Sequence, residues 1–298
     1  RLPVPVLVIG NWISGGAGKT PTLLAVLELL QRWGLKVGVV SRGHGRSSRG
    51  VRVACASSSA SELGDEPLLI ARRTRVPLAV GERRADAARR LLGMHPELQL
   101  IVCDDGLQHH ALARDLSLWV FDRRGLGNGW LLPAGPLRQD RKHAPLPGSS
   151  AAHLVLYSDG VASTALPGFM AERELRRAVP LADWWRGEPG VELARLRDRA
   201  WWACAGLAQP QAFFAALQAQ GLDLARTLPL ADHAPFATLP WPDGTAVLVT
   251  EKDAVKLDPQ RAGCAAVWVV PLDLRPEPAF ADALREPLRR LIPTWTPD

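Results

Sequence analysis

Residues Val4 to Thr20 read V-P-V-L-V-I-G-N-W-I-S-G-G-A-G-K-T, and the fold of the chain is decided there. Val4 to Ile9 is an apolar, β-branched run of strand length. Gly15-Gly16-Ala17-Gly18 follows as a turn, and Lys19-Thr20 opens a helix with apolar positions at Leu23, Leu24, Val26, Leu27 and Leu30. Strand, glycine turn and helix in that order make an anion site. Glycines let backbone N–H groups converge, the helix N-terminus adds partial positive charge, and lysine adds a whole one. A hydroxyl directly after the lysine is what Mg²⁺ bridging two phosphates needs. The stretch therefore reads as a P-loop for a nucleoside triphosphate. It is a variant form, because the strict G-x-x-x-x-G-K-[ST] spacing asks for glycine at Ile13.

Working outward, the 298 residues, 47% hydrophobic and 22% charged, suit a soluble globular protein of one large or two ordinary domains. No apolar run approaches the roughly 18 residues of a membrane span, and no signal peptide is visible. The chain opens at Arg1 without methionine and its first strand starts almost at once, so an upstream segment is expected. The net charge of +6 is carried almost wholly by arginine. That excess reads either as a GC-rich genome or as attraction to an anionic ligand or an anionic membrane surface. Lysine is scarce, yet Lys19, Lys252 and Lys256 all stand inside motif-like stretches. Cys55, Cys103, Cys204 and Cys264 lie far apart with no C-x-x-C pair, which speaks against zinc or a disulfide framework and for a reducing compartment. Nothing points to nucleic acid or to an obligate protein partner.

Strands are expected at Val37–Val40, Val76–Val80, Leu98–Cys103 and Leu116–Phe121, with helices over Leu68–Thr74 and Arg83–Leu92. Ser47 to Ser61 reads as a mobile surface connection, and Asp65 as the N-cap of the helix that Pro67 introduces. The Leu98–Cys103 strand ends in Asp104-Asp105-Gly106-Leu107-Gln108-His109. Carboxylates at the end of a buried strand downstream of a P-loop hold Mg²⁺, directly or through water, opposite the hydroxyl of Thr20. His109 is close enough in sequence to face the same cleft. Leu132-Pro-Ala-Gly-Pro-Leu-Arg138 is stiffened by its prolines and presents Arg138, a residue type that stabilises charge on a transferring phosphoryl group. A basic, proline-containing stretch over 139–150 marks the boundary between a 1–148 nucleotide-binding and catalytic lobe and a smaller 149–298 lobe.

The second half repeats the alternation, with strands at His153–Tyr157, Trp201–Ala205, Ala246–Thr250 and Val267–Val270 and helices at Gln209–Gln220 and Phe280–Ile292. Alternating β and α along the whole chain gives an α/β fold with mostly parallel sheets. Two polar clusters, Asp232-His233-Ala-Pro-Phe236 and Thr250-Glu251-Lys252-Asp253-Ala-Val-Lys256, stand here, the second at a strand's carboxyl end, where open α/β sheets place ligands.

Together these stretches resemble the tetraacyldisaccharide 4′-kinases of lipid A synthesis. The matching pieces run in order: Gly10–Pro21, V-V-S-R-G-H-G (Val39–Gly45), G-D-E-P-L-L-I-A (Gly64–Ala71), D-D-G-L-Q-H (Asp104–His109) and G-N-G-W-L-L-P-A-G-P-L-R (Gly127–Arg138). The second half adds A-G-L-A-Q-P-Q-A-F-F (Ala205–Phe214), D-H-A-P-F and V-T-E-K-D-A-V-K (Val249–Lys256). The chain departs from the family pattern at His44, Arg46 and Leu107.

The resemblance implies a P-loop fold of two α/β/α lobes with the nucleotide in the cleft between them. It implies transfer of the γ-phosphate of ATP, with Mg²⁺, to the 4′-hydroxyl of a tetraacylated disaccharide 1-phosphate at the cytoplasmic face of the inner membrane. Asp65 and His109 would be the catalytic pair, Asp65 as base and His109 as its orienting partner. Ile13, Ser14, Gly15, Gly16, Ala17, Gly18, Lys19 and Thr20 would hold the nucleotide, with Arg138 and His233. Thr20, Asp104 and Asp105 would hold the metal, and Asn11, Ser41, Arg42 and Gln108 would line the acceptor side. The family's upstream segment would be hydrophobic and membrane-docking. The competing reading is a membrane-cycling P-loop switch or assembly ATPase. Such proteins often carry an extra lysine early in the loop, where this chain has Ile13 and Ser14, and they lack an acceptor-side base.

Overall fold

The computed structural model describes residues 1–140, 152–261 and 263–296. The first part of the chain forms β1 (Val6–Gly10), α1 (Lys19–Arg32), β2 (Val37–Ser41), β3 (Arg52–Val53), α2 (Ala60–Leu63), α3 (Asp65–Thr74) and β4 (Leu78–Val80). It continues with α4 (Arg84–Met94), β5 (Leu100–Asp104), β6 (Leu116–Phe121), β7 (Ala152–Tyr157) and β8 (Phe169–Glu174). Then come β9 (Arg177–Pro180), α5 (Leu181–Arg186), β10 (Val191–Glu192), β11 (Ala200–Ala205), α6 (Pro210–Ala219) and β12 (Asp223–Pro229). The last elements are β13 (Val247–Thr250), α7 (Glu251–Ala254), β14 (Val267–Val270), β15 (Asp273–Pro276) and α8 (Pro278–Leu291).

Two sheets result. One has nine strands in the order β15-β8-β7-β6-β1-β5-β2-β4-β3, the other six in the order β10-β9-β14-β13-β11-β12. β1 lies between β5 and β6 and pairs in parallel with both. β1, β2, β5 and β6 are buried at every position, as apolar runs must be when helices cover both faces of a sheet. Antiparallel pairing is confined to the margins: β3 on β4, β15 on β8, and β9 on β14 and β10. The α/β class and mostly parallel sheets agree with the sequence reading.

The division into lobes differs from the one expected at 148/149. The basic stretch expected as a linker lies, from residue 141 on, outside the described residues. Beyond it, β7 continues the first sheet with six residues in parallel register on β6, and β8 follows. The second sheet then occupies 177–270, and β15 with α8 returns to the first lobe. The chain crosses between lobes twice, at 175–176 and 271–272, and the crossings lie side by side because Asp273 pairs with Glu174 while Val269 pairs with Val179. A composition shift marks a break in the chain but not a strand that re-enters an earlier sheet.

The return is a core event. Phe280, Leu284 and Leu288 of α8 share one buried cluster with Leu23, Leu27 and Leu30 of α1. Trp295 donates from its indole N–H to the Trp33 carbonyl at 2.9 Å, with the two rings 6.0 Å apart. Trp295→Ala is expected to cost roughly 3 kcal/mol, the lower range for removing a buried tryptophan, read as a lowered midpoint in denaturant unfolding. An unchanged midpoint would mean that α8 does not close this core.

Ser47–Ser61 is more ordered than expected. β3 pairs with β4, and Ser59 with Glu62 forms a capping box at the start of α2. Asp65 is not the N-cap of α3. Gly64 holds that position at φ 92°, where an added Cβ would lie 2.6 Å from the His44 carbonyl oxygen. The Asp65 side chain is thereby released from capping and turns toward the second lobe.

Candidate active site

The carboxyl ends of β1, β2, β5 and β13 meet in one cleft, and the side chains expected at the site fall into three groups there. The first is the glycine loop between β1 and α1. Gly15 and Gly16 are exposed, whereas Ile13 and Ala17 are buried and can offer only backbone to a ligand. The loop is pinned from outside: the Ser14 N–H donates to the Pro136 carbonyl at 2.8 Å, and Arg138 N–H to the Trp12 carbonyl at 2.7 Å. Gly18 takes φ 81°, and a Cβ there would stand 2.6 Å from the Ser158 hydroxyl. Ile13, which breaks the strict motif, faces Leu137 and closes the core beneath the loop. Apolar anchoring thus replaces the missing glycine.

Lys19 leads into the second group. Its ammonium donates to Asn11 Oδ1 at 3.0 Å and lies 3.7 Å from Asp105 Oδ2. Asn11 is fully buried and donates to the Ile13 carbonyl at 2.7 Å, so it braces the loop and does not line an acceptor site. Gln108 is a brace of the same kind, donating to the Asn11 carbonyl at 3.0 Å. Both carboxylate oxygens of Asp105 accept from one guanidinium nitrogen of Arg138, Nη1, at 2.8 and 2.9 Å. With Lys19 beside it as well, Asp105 is already compensated by cations.

Asp104 is different. It is 3% exposed, its Oδ2 accepts from the Ser41 hydroxyl at 2.9 Å, and its Oδ1 has no hydrogen-bond partner among the described residues. Burial, with Glu66 and Asp105 adding negative charge nearby, pushes its carboxyl up to about 7. The Thr20 hydroxyl donates to Glu66 Oε2 at 3.2 Å, and Glu66 Oε1 meets Lys252 Nζ at 3.0 Å. Burial acts to raise the Glu66 carboxyl, but Lys252, Lys19 and the Thr20 hydroxyl outweigh it and hold it below the usual range. Among the described residues no three His, Cys, Asp or Glu side chains form a ready-made cation cage. Arg42 stands exposed at the end of β2.

The third group changes the expected catalytic pairing. Asp65 Oδ2 meets His233 Nδ1 at 2.9 Å and Lys256 Nζ at 3.9 Å. Its Oδ1 makes no hydrogen bond to the described residues. His233 sits at φ 60°, with its ring edge-on to His44 at 5.9 Å. His109, expected to partner Asp65, makes no hydrogen bond or ion pair with it among the described residues. Its Nε2 is buried without a hydrogen-bond partner among the described residues, and burial together with Arg84 and Arg114 lowers its pKa and keeps the ring neutral. The pairing was missed because 168 residues separate Asp65 from His233, and only the sheet arrangement joins them. Glu66, Lys252 and Lys256 were also unassigned, although each stands inside a stretch quoted above.

This geometry can be set beside known proteins. The family model for tetraacyldisaccharide-1-P 4′-kinase matches residues 1–289. A tetraacyldisaccharide 4′-kinase of Methylibium petroleiphilum is 53% identical over 98% of this chain and 83% of its own length. One of Leptothrix cholodnii is 50% identical over 91% of this chain and 79% of its own. The crystal structure of LpxK from Aquifex aeolicus in complex with ATP superposes with a TM-score of 0.81 at 27% identity, covering 98% of this chain and 89% of that one. A match that runs from the glycine loop through the second lobe, at half identity to curated relatives, leaves one conclusion: the chain belongs to the tetraacyldisaccharide 4′-kinase family.

Proposed function

We propose that this protein transfers the γ-phosphate of ATP to the 4′-hydroxyl of a tetraacyldisaccharide 1-phosphate, and that Asp65 is the base. The observation that carries the reading is the Asp65 carboxylate. One oxygen is held by His233, the other makes no hydrogen bond among the described residues, and the neighbouring Glu66 reaches the Thr20 hydroxyl at the start of α1. A sugar hydroxyl is a poor nucleophile at neutral pH, and a positioned base speeds its reaction roughly 10²- to 10⁴-fold. As the hydroxyl oxygen bonds to the γ-phosphorus, its proton passes to Asp65 Oδ1. The bond from that phosphorus to the β–γ bridging oxygen breaks, and its electron pair leaves with ADP. Lys19, the backbone of residues 13–18 and Arg138 offset the phosphate charge.

Mg²⁺ fits the residues present. Asp104 Oδ1 is a buried carboxylate oxygen with no hydrogen-bond partner among the described residues, and Glu66, which takes the Thr20 hydroxyl, adds a second negative charge near it. Asp104, Thr20 and Glu66 are the residues to hold the ion, while Asp105 serves Arg138 and Lys19. The ion's part is to neutralise charge on the β- and γ-phosphates. Arg42 and Ser41 lie on the acceptor side of the same cleft.

The acceptor is a lipid, and the loop after β6 suits an anionic membrane surface at the cytoplasmic face of the inner membrane. No helix among the described residues is long and apolar enough to cross a membrane. Trp130, Leu131 and Leu132 are about half exposed or more, while their loop folds on itself: Leu132 N–H donates to the Leu137 carbonyl and Leu137 N–H to the Trp130 carbonyl. Nearby Arg123 is largely exposed and pairs with the inward-turned Asp159, while Arg124 pairs with the buried Asp122 and lies against the glycine loop. Apolar side chains on a self-satisfied backbone, flanked by arginine, are what an interface with anionic lipid takes up. Trp130→Ser with Leu132→Ser is expected to lower binding to anionic phospholipid vesicles roughly tenfold, leaving the melting temperature in place. Equal binding by the double variant would remove this loop from the interface.

The deciding experiment incubates the protein with γ-labelled ATP, Mg²⁺ and the acylated disaccharide and follows label into the lipid. ATP hydrolysis at full rate without acceptor, and no labelled lipid, would instead support the switch-ATPase reading.

A further inference from the structure

Resting on the assignment of Asp65 as base, we infer that α7 and the turn after it position that base, with Lys256 as the residue that acts on it. α3 and the α7 segment face each other across the cleft through three ion pairs. Arg73 meets Glu251 at 2.7 Å, Glu66 meets Lys252 at 3.0 Å, and Asp65 faces Lys256 at 3.9 Å. The order is inverted, 73-66-65 against 251-252-256, so the two segments run oppositely and each pair fixes the next. The lysines stand one helical turn apart and so reach the same side of their segment. Two of the chain's five lysines are used on two adjacent carboxylates.

The far ends are held rigidly. Asp253 is fully buried, accepts from the Gly206 N–H at 3.0 Å and the Thr250 hydroxyl at 2.7 Å, and meets Lys256 at 3.1 Å. Lys256 also donates to the Ala234 carbonyl at 3.0 Å, one residue from His233. The Glu251 carboxylate takes the indole N–H of Trp184 at 3.1 Å in addition to Arg73. Lys256 therefore carries the register of the second sheet to Asp65 Oδ2, the oxygen that His233 also binds, and leaves Oδ1 without a hydrogen bond among the described residues. A charged side chain anchored to a buried carboxylate moves only if its lobe moves. Alignment of the base is thereby tied to the seating of the second lobe.

The test is a set of variants in the full chain, assayed for label transfer with acceptor and ATP varied separately. Lys256→Gln is expected to lower kcat roughly ten- to hundredfold, the scale of a small misplacement of a reacting group, while KM for ATP stays within about twofold. Lys256→Arg recovers part of the loss, because the charge returns. In an Asp65→Ala background the added Lys256→Gln costs less than about twofold, since residues acting as one unit are not additive. The full loss persisting in that background would overturn the proposal, as would a parallel rise in KM for ATP or no recovery in Lys256→Arg. If Lys256→Gln does not fold, Lys252→Gln, which leaves Asp253 paired, is tested against Glu66→Gln by the same criterion of non-additivity. An Asp65→Ala protein that still transfers at the native rate would instead show that the base has been misassigned, which is a separate failure.

Discussion

Asp65→Ala lowers label transfer roughly 10²- to 10⁴-fold, the span general bases contribute, while ATP is still bound. The expectation follows from where the residue stands. Asp65 touches neither the glycine loop nor Lys19, and its partners are His233 and Lys256, both from the second lobe. His233→Ala is expected to fall in the same direction but less far, because Asp65 keeps Lys256 and loses only the hydrogen bond that sets its rotation. His109→Ala separates the two candidate pairings. A neutral, half-buried ring beside Arg84 and Arg114, with no hydrogen bond to Asp65 among the described residues, predicts a small change in kcat. If His109→Ala matches Asp65→Ala and His233→Ala is harmless, the pairing drawn from the structure is wrong. Loss of ATP binding in Asp65→Ala would make that residue structural.

Asp104→Asn is expected to lower transfer roughly 10²- to 10³-fold, as removal of a group that organises charge at the transferring phosphate does. The same change is expected to stabilise the protein without nucleotide, by about 1 kcal/mol or more, because it removes a buried charge whose Oδ1 has no partner. The sign with pH follows from its pKa, raised to about 7 from the ordinary 3.8 of an aspartate. Below the lower value both states are protonated and the substitution gains nothing. Between the two the native state holds the proton that the unfolded state has lost, so wild-type stability falls as pH rises. The advantage of Asp104→Asn therefore grows from pH 4 and is complete above about pH 7. Melting curves of both proteins across that range, without ATP or metal, check it. A variant less stable at pH 8 would mean that Asp104 is compensated in the apo protein.

What the sequence made legible was local. β1, the glycine loop and α1 are contiguous, and their apolar spacing and glycines carry the reading without help. β5 with Asp104 is legible for the same reason, as a buried strand ending in acid. Three things were not. Asp65 reads as a cap because aspartate before Pro67 satisfies every local rule, and only Gly64 at φ 92° takes that role away. The choice between His109 and His233 cannot be made along the chain, since one is near Asp104 in sequence and the other near Asp65 in space. Asn11 and Gln108 look like ligand contacts, yet their amides are consumed by carbonyls of the loop they support. Resemblance names the residues a site contains but does not distribute them between bracing and chemistry.

The paired crossing between the lobes also bears on the order in which the protein is made. Residues 177–270 are synthesised after the other eight strands of the nine-stranded sheet and before β15 and α8. On the ribosome the first lobe must therefore wait, with the face that Phe280, Leu284 and Leu288 will cover still open to water, while a whole second sheet emerges. Completion of the nucleotide lobe and seating of its neighbour become one late step, so a nascent chain has no finished catalytic cleft until α8 has left the tunnel.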